Sequence, residues 1–377
     1  MFAREQVEWI VHDIISTELV KQRHDTFAFF DTSEKLDIQK IPAEVLQQAT
    51  KQVGLFFGFK PEPFSALSQL ISQAHQAYQK NKFVYLSTSG STGNPKQILY
   101  TQEMLEIEGK SVGRHFKNAK RLITLTPRQH LYGISFAVLF PFVYKTPTCA
   151  LAALPVQPWE SILQSGDVLA GFPLFWEYFL QAGNRFPPGV TAVTSTAPCP
   201  QGLFVRLQQA GAEHVVELYG ATDTGGIGVR EDESEPFQIN DFWEVDATHQ
   251  PVLIHRKGIE GWVPFPDQVK FVAPRGIFPL KRMDRVVQVA GVNVSLDRVE
   301  KILQQHPAVK TCKIRLMRPE EGKRLKAFVV LNAQYTEQIL PQLRSYLTGQ
   351  LSSHEMPRAF TFGAALPTNS MGKDSDW

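Results

Sequence analysis

The sequence predicts an α/β protein. A large N-terminal domain holds a mostly parallel sheet and a β-rich subdomain, and a small α+β domain closes the chain. Three observations predict this. Short apolar runs alternate with helix-period segments between residues 83 and 218. From about residue 227 the texture changes to short alternating segments broken by Gly and Pro. After residue 284, two amphipathic helix patterns and two strand patterns form a compact set.

The elements follow in order. Val7, Ile10, Val11, Ile14 and Ile15 recur at helical spacing over residues 5–20, and Phe64, Leu67, Leu70, Ile71, Ala74 and Tyr78 do so over 63–79. Phe83-Val84-Tyr85-Leu86 reads as the first buried strand of the parallel sheet. Residues 102–117, 134–144, 173–182 and 200–210 read as helices. Between them, strands are expected at 121–126, 148–154, 167–170, 190–195 and 215–218. Such alternation implies crossovers and a parallel sheet, on which ligands bind at the carboxyl ends of strands. Toward the end, Ser295 can cap a helix carrying Leu296, Val299, Ile302 and Leu303 on one face, and Pro307 ends it. Strands are expected at 309–316 and 325–331, and Thr336 can cap a last helix. A domain boundary is placed at 283/284, giving domains 1–283 and 284–377.

Composition narrows the function. Lys+Arg 39 against Asp+Glu 37 is nearly balanced, so nothing argues for a nucleic-acid surface. The three cysteines are far apart and form no CxxC, so neither a zinc site nor a disulfide framework is suggested. No apolar stretch approaches the ~18 residues a membrane helix needs, and the N-terminus lacks a signal-peptide core. A cytoplasmic protein is expected, with no membrane partner.

Three segments that follow strands carry the chemistry: 88–96, 195–198 and 219–223. In Thr88-Ser89-Gly90-Ser91-Thr92-Gly93-Asn94-Pro95-Lys96, glycines free the backbone while hydroxyls and amide protons can converge on an anion. The Walker A spacing is absent, and a Ser/Thr/Gly run is often only a solvated loop. Ser195-Thr196-Ala197-Pro198 reads plainly as a turn. His130 alone is more often structural than catalytic, and Asp267 alone reads as an exposed turn residue after Pro266. Lys373, four residues from the terminus, would ordinarily be a frayed surface charge.

Together these segments resemble, in order, the motifs of the ANL superfamily of adenylate-forming enzymes. The resemblance covers roughly residues 80–377. It implies that 88–96 holds the β- and γ-phosphates of ATP, with His130 and Tyr132 near the carboxylate substrate. It implies that Ser195, Thr196, Ala197 and Pro198 lie against the adenine and that Tyr219, before Gly220, stacks on it. Thr222 would bind the α-phosphate, Asp223 would hold Mg²⁺, Asp267 would take the ribose hydroxyls and Arg282 the ribose or phosphate. Asp284 would be the hinge of a mobile lid, and Lys373 the adenylation lysine. Thr196, Asp223, Lys281 and Asn293 depart from the usual Gly/Ala, Glu, Gly and Arg.

The short N-terminal region resembles the phenylacetate-CoA ligase branch, and also the atypical members of phenazine antibiotic clusters. The activity implied is ATP-dependent activation of a carboxylic acid to an acyl-adenylate with release of pyrophosphate. Aromatic residues Tyr132, Phe136, Phe172, Trp176 and Tyr178 favour an aromatic acid, although core packing accounts for most of them. The acceptor stays open among CoA, a carrier protein and an amine, and a homodimer is allowed. The departures motivate an alternative: a weakened homologue that binds nucleotide or acyl-adenylate as a sensor or partner subunit.

Overall fold

The computed structural model describes residues 1–23, 36, 38–87, 96–151, 155, 157–249, 251–272, 274–282, 286–290, 292–322 and 324–366. They fall into two compact units. Residues 1–88 and 97–281 make the larger, and residues 89–96 with 282–377 the smaller.

The larger unit opens with helices α1 (Arg4–Arg23), α2 (Ala43–Phe57) and α3 (Leu67–Asn81). The predicted apolar face of α1 is buried throughout: Val7, Ile10, Val11, Ile14 and Ile15. Gly58, at φ 67, ends α2 in the left-handed conformation that costs glycine little. Next come β1 (Phe83–Ser87) and β2 (Gln97–Thr101), and Thr101 caps α4 (Gln102–Gly113), its Oγ1 accepting from the Met104 amide at 3.2 Å.

Here the structure corrects the sequence reading. β1 is not a strand of the parallel sheet. It pairs antiparallel with β2 as a separate two-stranded ladder, Phe83 opposite Thr101 and Ser87 opposite Gln97. The mixed pattern of Gln97-Ile-Leu-Tyr-Thr101 hid the partner strand.

The α/β body then unfolds as expected: β3 (Arg121–Thr124), α5 (Leu131–Ile134), α6 (Phe140–Tyr144), β4 (Thr148–Ala150), α7 (Trp159–Ile162), β5 (Asp167–Ala170), α8 (Pro173–Gln181), β6 (Thr191–Thr194), α9 (Leu203–Gln209) and β7 (His214–Ala221). One wider π-turn, Ser135–Leu139, joins α5 to α6. Strands β4, β3, β5, β6 and β7 are parallel neighbours in that order. All four residues of β5 are buried, as a strand covered on both faces requires.

The β-rich stretch does not stand apart from this sheet. β8 (Gly225–Arg230), β9 (Phe237–Ile239), β13 (Asp267–Val272) and β14 (Gly276–Arg282) extend it antiparallel, giving nine strands. Only β10 (Trp243–Asp246), β11 (Leu253–Arg256) and β12 (Val263–Pro264) form a sheet of their own. The short turn between β7 and β8 causes the join, because it forces β8 back alongside β7.

The smaller unit contains the hairpin β15 (Val286–Val289)–β16 (Val292–Ser295), helix α10 (Leu296–Gln304), the sheet β17 (Val309–Leu316), β18 (Leu325–Leu331) and β19 (Ala359–Phe362), and helix α11 (Leu340–Thr348). Ser295 Oγ accepts from the Arg298 amide at 3.2 Å, the predicted cap. Thr336 instead precedes a short 3₁₀ turn and makes no side-chain cap, so α11 starts only at Leu340. Val299, Leu303, Ile314, Val329, Leu343 and Leu347 fill this unit's core.

Candidate functional site

The candidate site lies where β6 and β7 end. Tyr219 sits in β7 just before a register shift, opposite Gly228, and Gly220 faces Gly226. A Cβ on Gly220 would lie 2.2 Å from the Gly225 carbonyl oxygen, so no side chain fits at this position. The Tyr219 ring lies nearly parallel to Phe265, 7° apart with centroids 6.2 Å distant, and is tilted against Phe237.

Asp267 opens β13 and is 8% exposed, not the exposed turn residue that its sequence context suggests. The Tyr219 hydroxyl donates to Asp267 Oδ2 at 2.5 Å. Asp267 Oδ1 is buried and has no hydrogen-bond partner among the described residues. A buried carboxylate oxygen left unpaired costs on the order of 1–3 kcal/mol, so a ligand donor arriving there would be favoured. A hydroxyl or amine donor is the kind of group that would pair with that atom.

The exit of β6 is tied to β7 by Ser195 Oγ, which donates to the Leu218 carbonyl at 2.8 Å. Thr196 follows with φ 74, a left-handed conformation uncommon for a β-branched residue. Thr196 and Pro198 are exposed, while Ser195 and Ala197 are half-buried. Beyond β7, Thr222, Asp223 and Thr224 make the turn into β8, with Thr222 half-buried and Asp223 exposed. Among the described residues no group of three or more His, Cys, Asp or Glu is placed to hold a metal.

His130 is exposed at the N-terminus of α5. The stretch before it is clamped by a buried pair: Asp13 Oδ2 accepts from the Arg128 backbone amide at 2.6 Å and from Nε at 2.7 Å, and Oδ1 accepts from Nη2 at 2.5 Å. Tyr132 donates its hydroxyl to the carbonyls of Gly171 at 2.9 Å and Val193 at 3.2 Å, bracing the ends of β5 and β6. Burial pushes that phenol well above its usual pKa. The aromatic residues of this region do not line one wall: Phe136 and Trp176 are fully buried in different core clusters, and Tyr178 is 55% exposed.

Thr88, Ser89, Gly90, Ser91, Thr92 and Gly93, Asp284, expected from the sequence as a hinge, and Lys373 lie outside the described residues. Lys96 is exposed just before β2, and Arg282 ends β14.

Sequence reasoning missed Tyr100, Glu108 and Arg256. Arg256 is buried and donates to the carbonyls of Thr224 at 3.2 Å and Met104 at 2.9 Å, and to Glu108 Oε2 at 3.4 Å. Glu108 Oε1 accepts from the Gly226 amide at 2.9 Å, and Tyr100 donates its hydroxyl to the Thr222 carbonyl at 2.9 Å. The signal was available. Glu108 shares the buried face of α4 with Leu105 and Val112, and Arg256 shares the buried face of its strand with Ile254.

Tyr219 near the end of β7 and Asp267 at the start of β13 thus meet on the nine-stranded sheet. The chain belongs to the AMP-binding enzyme family, which it matches over residues 4–246, with the family's C-terminal domain over 298–373. It is 35% identical over 297 residues to a 4-coumarate–CoA ligase of Rhodobacter capsulatus, covering 77% of this chain and 74% of that protein. It is 32% identical over 309 residues to a 4-coumarate–CoA ligase of Halorhodospira halophila, covering 81% and 78%. In fold it is similar to an o-succinylbenzoate CoA synthetase of Bacillus subtilis, with a TM-score of 0.63 at 18% identity, covering 77% of this chain and 67% of that one. The protein is an adenylate-forming ligase of the ANL superfamily. Among the described residues no helix is long and apolar enough to cross a membrane.

Proposed function

We propose that the protein activates an aromatic acid of the hydroxycinnamate type with ATP, giving acyl-adenylate and pyrophosphate, and then transfers the acyl group to the thiol of CoA, forming the thioester as the acyl–phosphate bond breaks and AMP leaves. The observation that carries the nucleotide part is Asp267 Oδ1, buried beside the Tyr219 ring and unpartnered among the described residues. The acid and the acceptor rest on the coumarate ligases that share about a third of their residues with this chain.

In this reading a substrate carboxylate oxygen attacks the α-phosphorus of ATP, and the bond to the pyrophosphate oxygen breaks. The protein positions the groups and stabilises charge. Asp267 accepts the ribose hydroxyls, the Tyr219 ring and residues 195–198 flank the adenine, and Thr222 donates its hydroxyl to the α-phosphate. Residues 88–96 hold the β- and γ-phosphates, and Arg282 contacts the ribose or phosphate. His130 borders the acid. Mg²⁺, when bound at Asp223, offsets phosphate charge. Lys373 supplies a second cation, carried on a lid of residues 284–377 that pivots at Asp284.

The test is ATP–pyrophosphate exchange across aryl, heteroaryl and fatty acids, followed by acyl transfer to CoA or to a carrier-protein thiol. Coumarate-like acids should support the fastest exchange. Lys373→Ala should suppress exchange about 100-fold or more, the scale of losing a charge-stabilising group at the reacting centre, while nucleotide binding persists. Unchanged exchange would remove Lys373 from the mechanism. ATP binding with no exchange for any acid would favour the weakened-homologue reading.

A further inference from the structure

The turn that bears Thr222 and Asp223 is held by side chains from elsewhere in the chain. Tyr100, from β2, donates to the Thr222 carbonyl at 2.9 Å. Arg256, from β11, donates to the Thr224 carbonyl at 3.2 Å. Glu108, from α4, accepts from the Gly226 amide at 2.9 Å, and the Gly226 carbonyl accepts from Asn240 Nδ2 and Trp243 Nε1, each at 3.0 Å. Gly225 takes φ 87, and a Cβ there would stand 2.5 Å from Glu108 Oε2 and 3.0 Å from Arg256 Nη1. The turn is therefore moulded onto the Glu108–Arg256 pair. Arg256 also lies over Phe242, 4.9 Å from its ring centre, with Tyr100 and Trp243 slightly farther off.

We infer that Tyr100, Glu108 and Arg256 are positioning residues that set where the Thr222 hydroxyl and the Asp223 carboxylate stand during adenylation. The inference rests on the adenylation reading above. A buried ion pair whose closest approach is 3.4 Å is a poor device for stability alone, because desolvating both charges consumes most of the attraction. What the pair does is fix main-chain groups just downstream of the two proposed phosphate and metal residues, at Thr224 and Gly226, while Tyr100 holds the Thr222 carbonyl itself. Activation of this kind depends on placement, and a displacement near 1 Å can cost about 100-fold. Asp223, shorter than the usual Glu, leaves less reach to absorb such a displacement.

The experiment compares Tyr100→Phe and Glu108→Gln with the unaltered full-length enzyme. Three quantities are read: exchange at saturating acid as magnesium is varied, MgATP affinity by calorimetry, and the thermal midpoint. Tyr100→Phe removes one hydroxyl and keeps the ring, so the fold should persist. We expect both variants to lower maximal exchange or raise the magnesium requirement by about tenfold, with the KM for the acid within about twofold. A thermal midpoint that falls while exchange and magnesium dependence stay fixed would overturn the inference and leave the network a structural one. If the unaltered enzyme exchanges with no acid, the adenylation reading fails first. The positioning role then stands or falls on whether Tyr100→Phe weakens MgATP binding.

Discussion

Two buried arginine–carboxylate pairs hold loops at the carboxyl ends of strands in the larger unit, and they are built differently. Asp13 and Arg128 meet through three short contacts of 2.5–2.7 Å, one of them from the Arg128 backbone amide. Arg256 meets Glu108 at 3.4 Å and spreads its remaining donors over two carbonyls and a cage of rings. The first is a point clamp that fixes α1 to the segment entering α5. The second is a hub that gathers α4, β11 and the β7–β8 turn. The difference teaches that a close ion pair joins two elements firmly, whereas a loose one can share its charge and shape the chain around it.

The largest expected effect is at the point clamp. Asp13→Ala leaves Arg128 buried with its partner removed, and should cost about 3–5 kcal/mol of unfolding free energy in denaturant titration. Next comes the hub. Glu108→Ala should cost less, about 1–3 kcal/mol, because the contact Arg256 loses is a long one of 3.4 Å and it keeps two carbonyl acceptors, while the Gly226 amide loses its partner. A hub loss equal to or above the clamp loss would erase the distinction.

The smallest effect concerns pH. His12, beside Asp13 on α1, has its pKa lowered from 6.5, first by burial and also by Arg128, with Glu8 and Asp13 pulling the other way. A depressed folded-state pKa means the unfolded chain binds the proton more readily. The stability His12 supports is thus present above pH 6.5 and lost as pH falls through its folded value. The thermal midpoint should decline by a few degrees between pH 7.5 and 5.5, and His12→Gln should flatten that decline. An unchanged slope in His12→Gln would place the acid sensitivity elsewhere, at His115 or His354, which burial also lowers.

Much of the fold was legible because periodicity survives folding. The apolar faces of α1, α3 and α10 and the limits of β5, β17 and β18 follow from side-chain spacing alone. β1 was misassigned because an isolated apolar run looks the same in a parallel sheet and in a hairpin. Its partner β2 alternates too weakly to announce itself. The join of β8, β9, β13 and β14 to the main sheet is a long-range pairing that local pattern does not contain. At the site, Tyr219 and Asp267 were readable as motif residues, but their mutual hydrogen bond spans 48 positions. Asp13, Glu108 and Arg256 interrupt otherwise apolar faces, and such interruptions deserve to be read as partners in search of each other. The short N-terminal region resembles the phenylacetate-CoA ligase branch and members of phenazine clusters, a finer placement that the two relatives at 35% and 32% identity, named 4-coumarate–CoA ligases, do not test.

The ladder of β1 with β2 has one further consequence. Ser87 and Gln97 close it, and Gln97 Nε2 donates to Ser87 Oγ at 2.7 Å, a crossbar between the two posts. The chain leaves this ladder at Ser87 and re-enters it at Gln97. A relative's counterpart of residues 88–96 grafted between Ser87 and Gln97 meets the same two anchors, and because neither β1 nor β2 belongs to the nine-stranded sheet, such an exchange leaves that sheet's pairing unchanged.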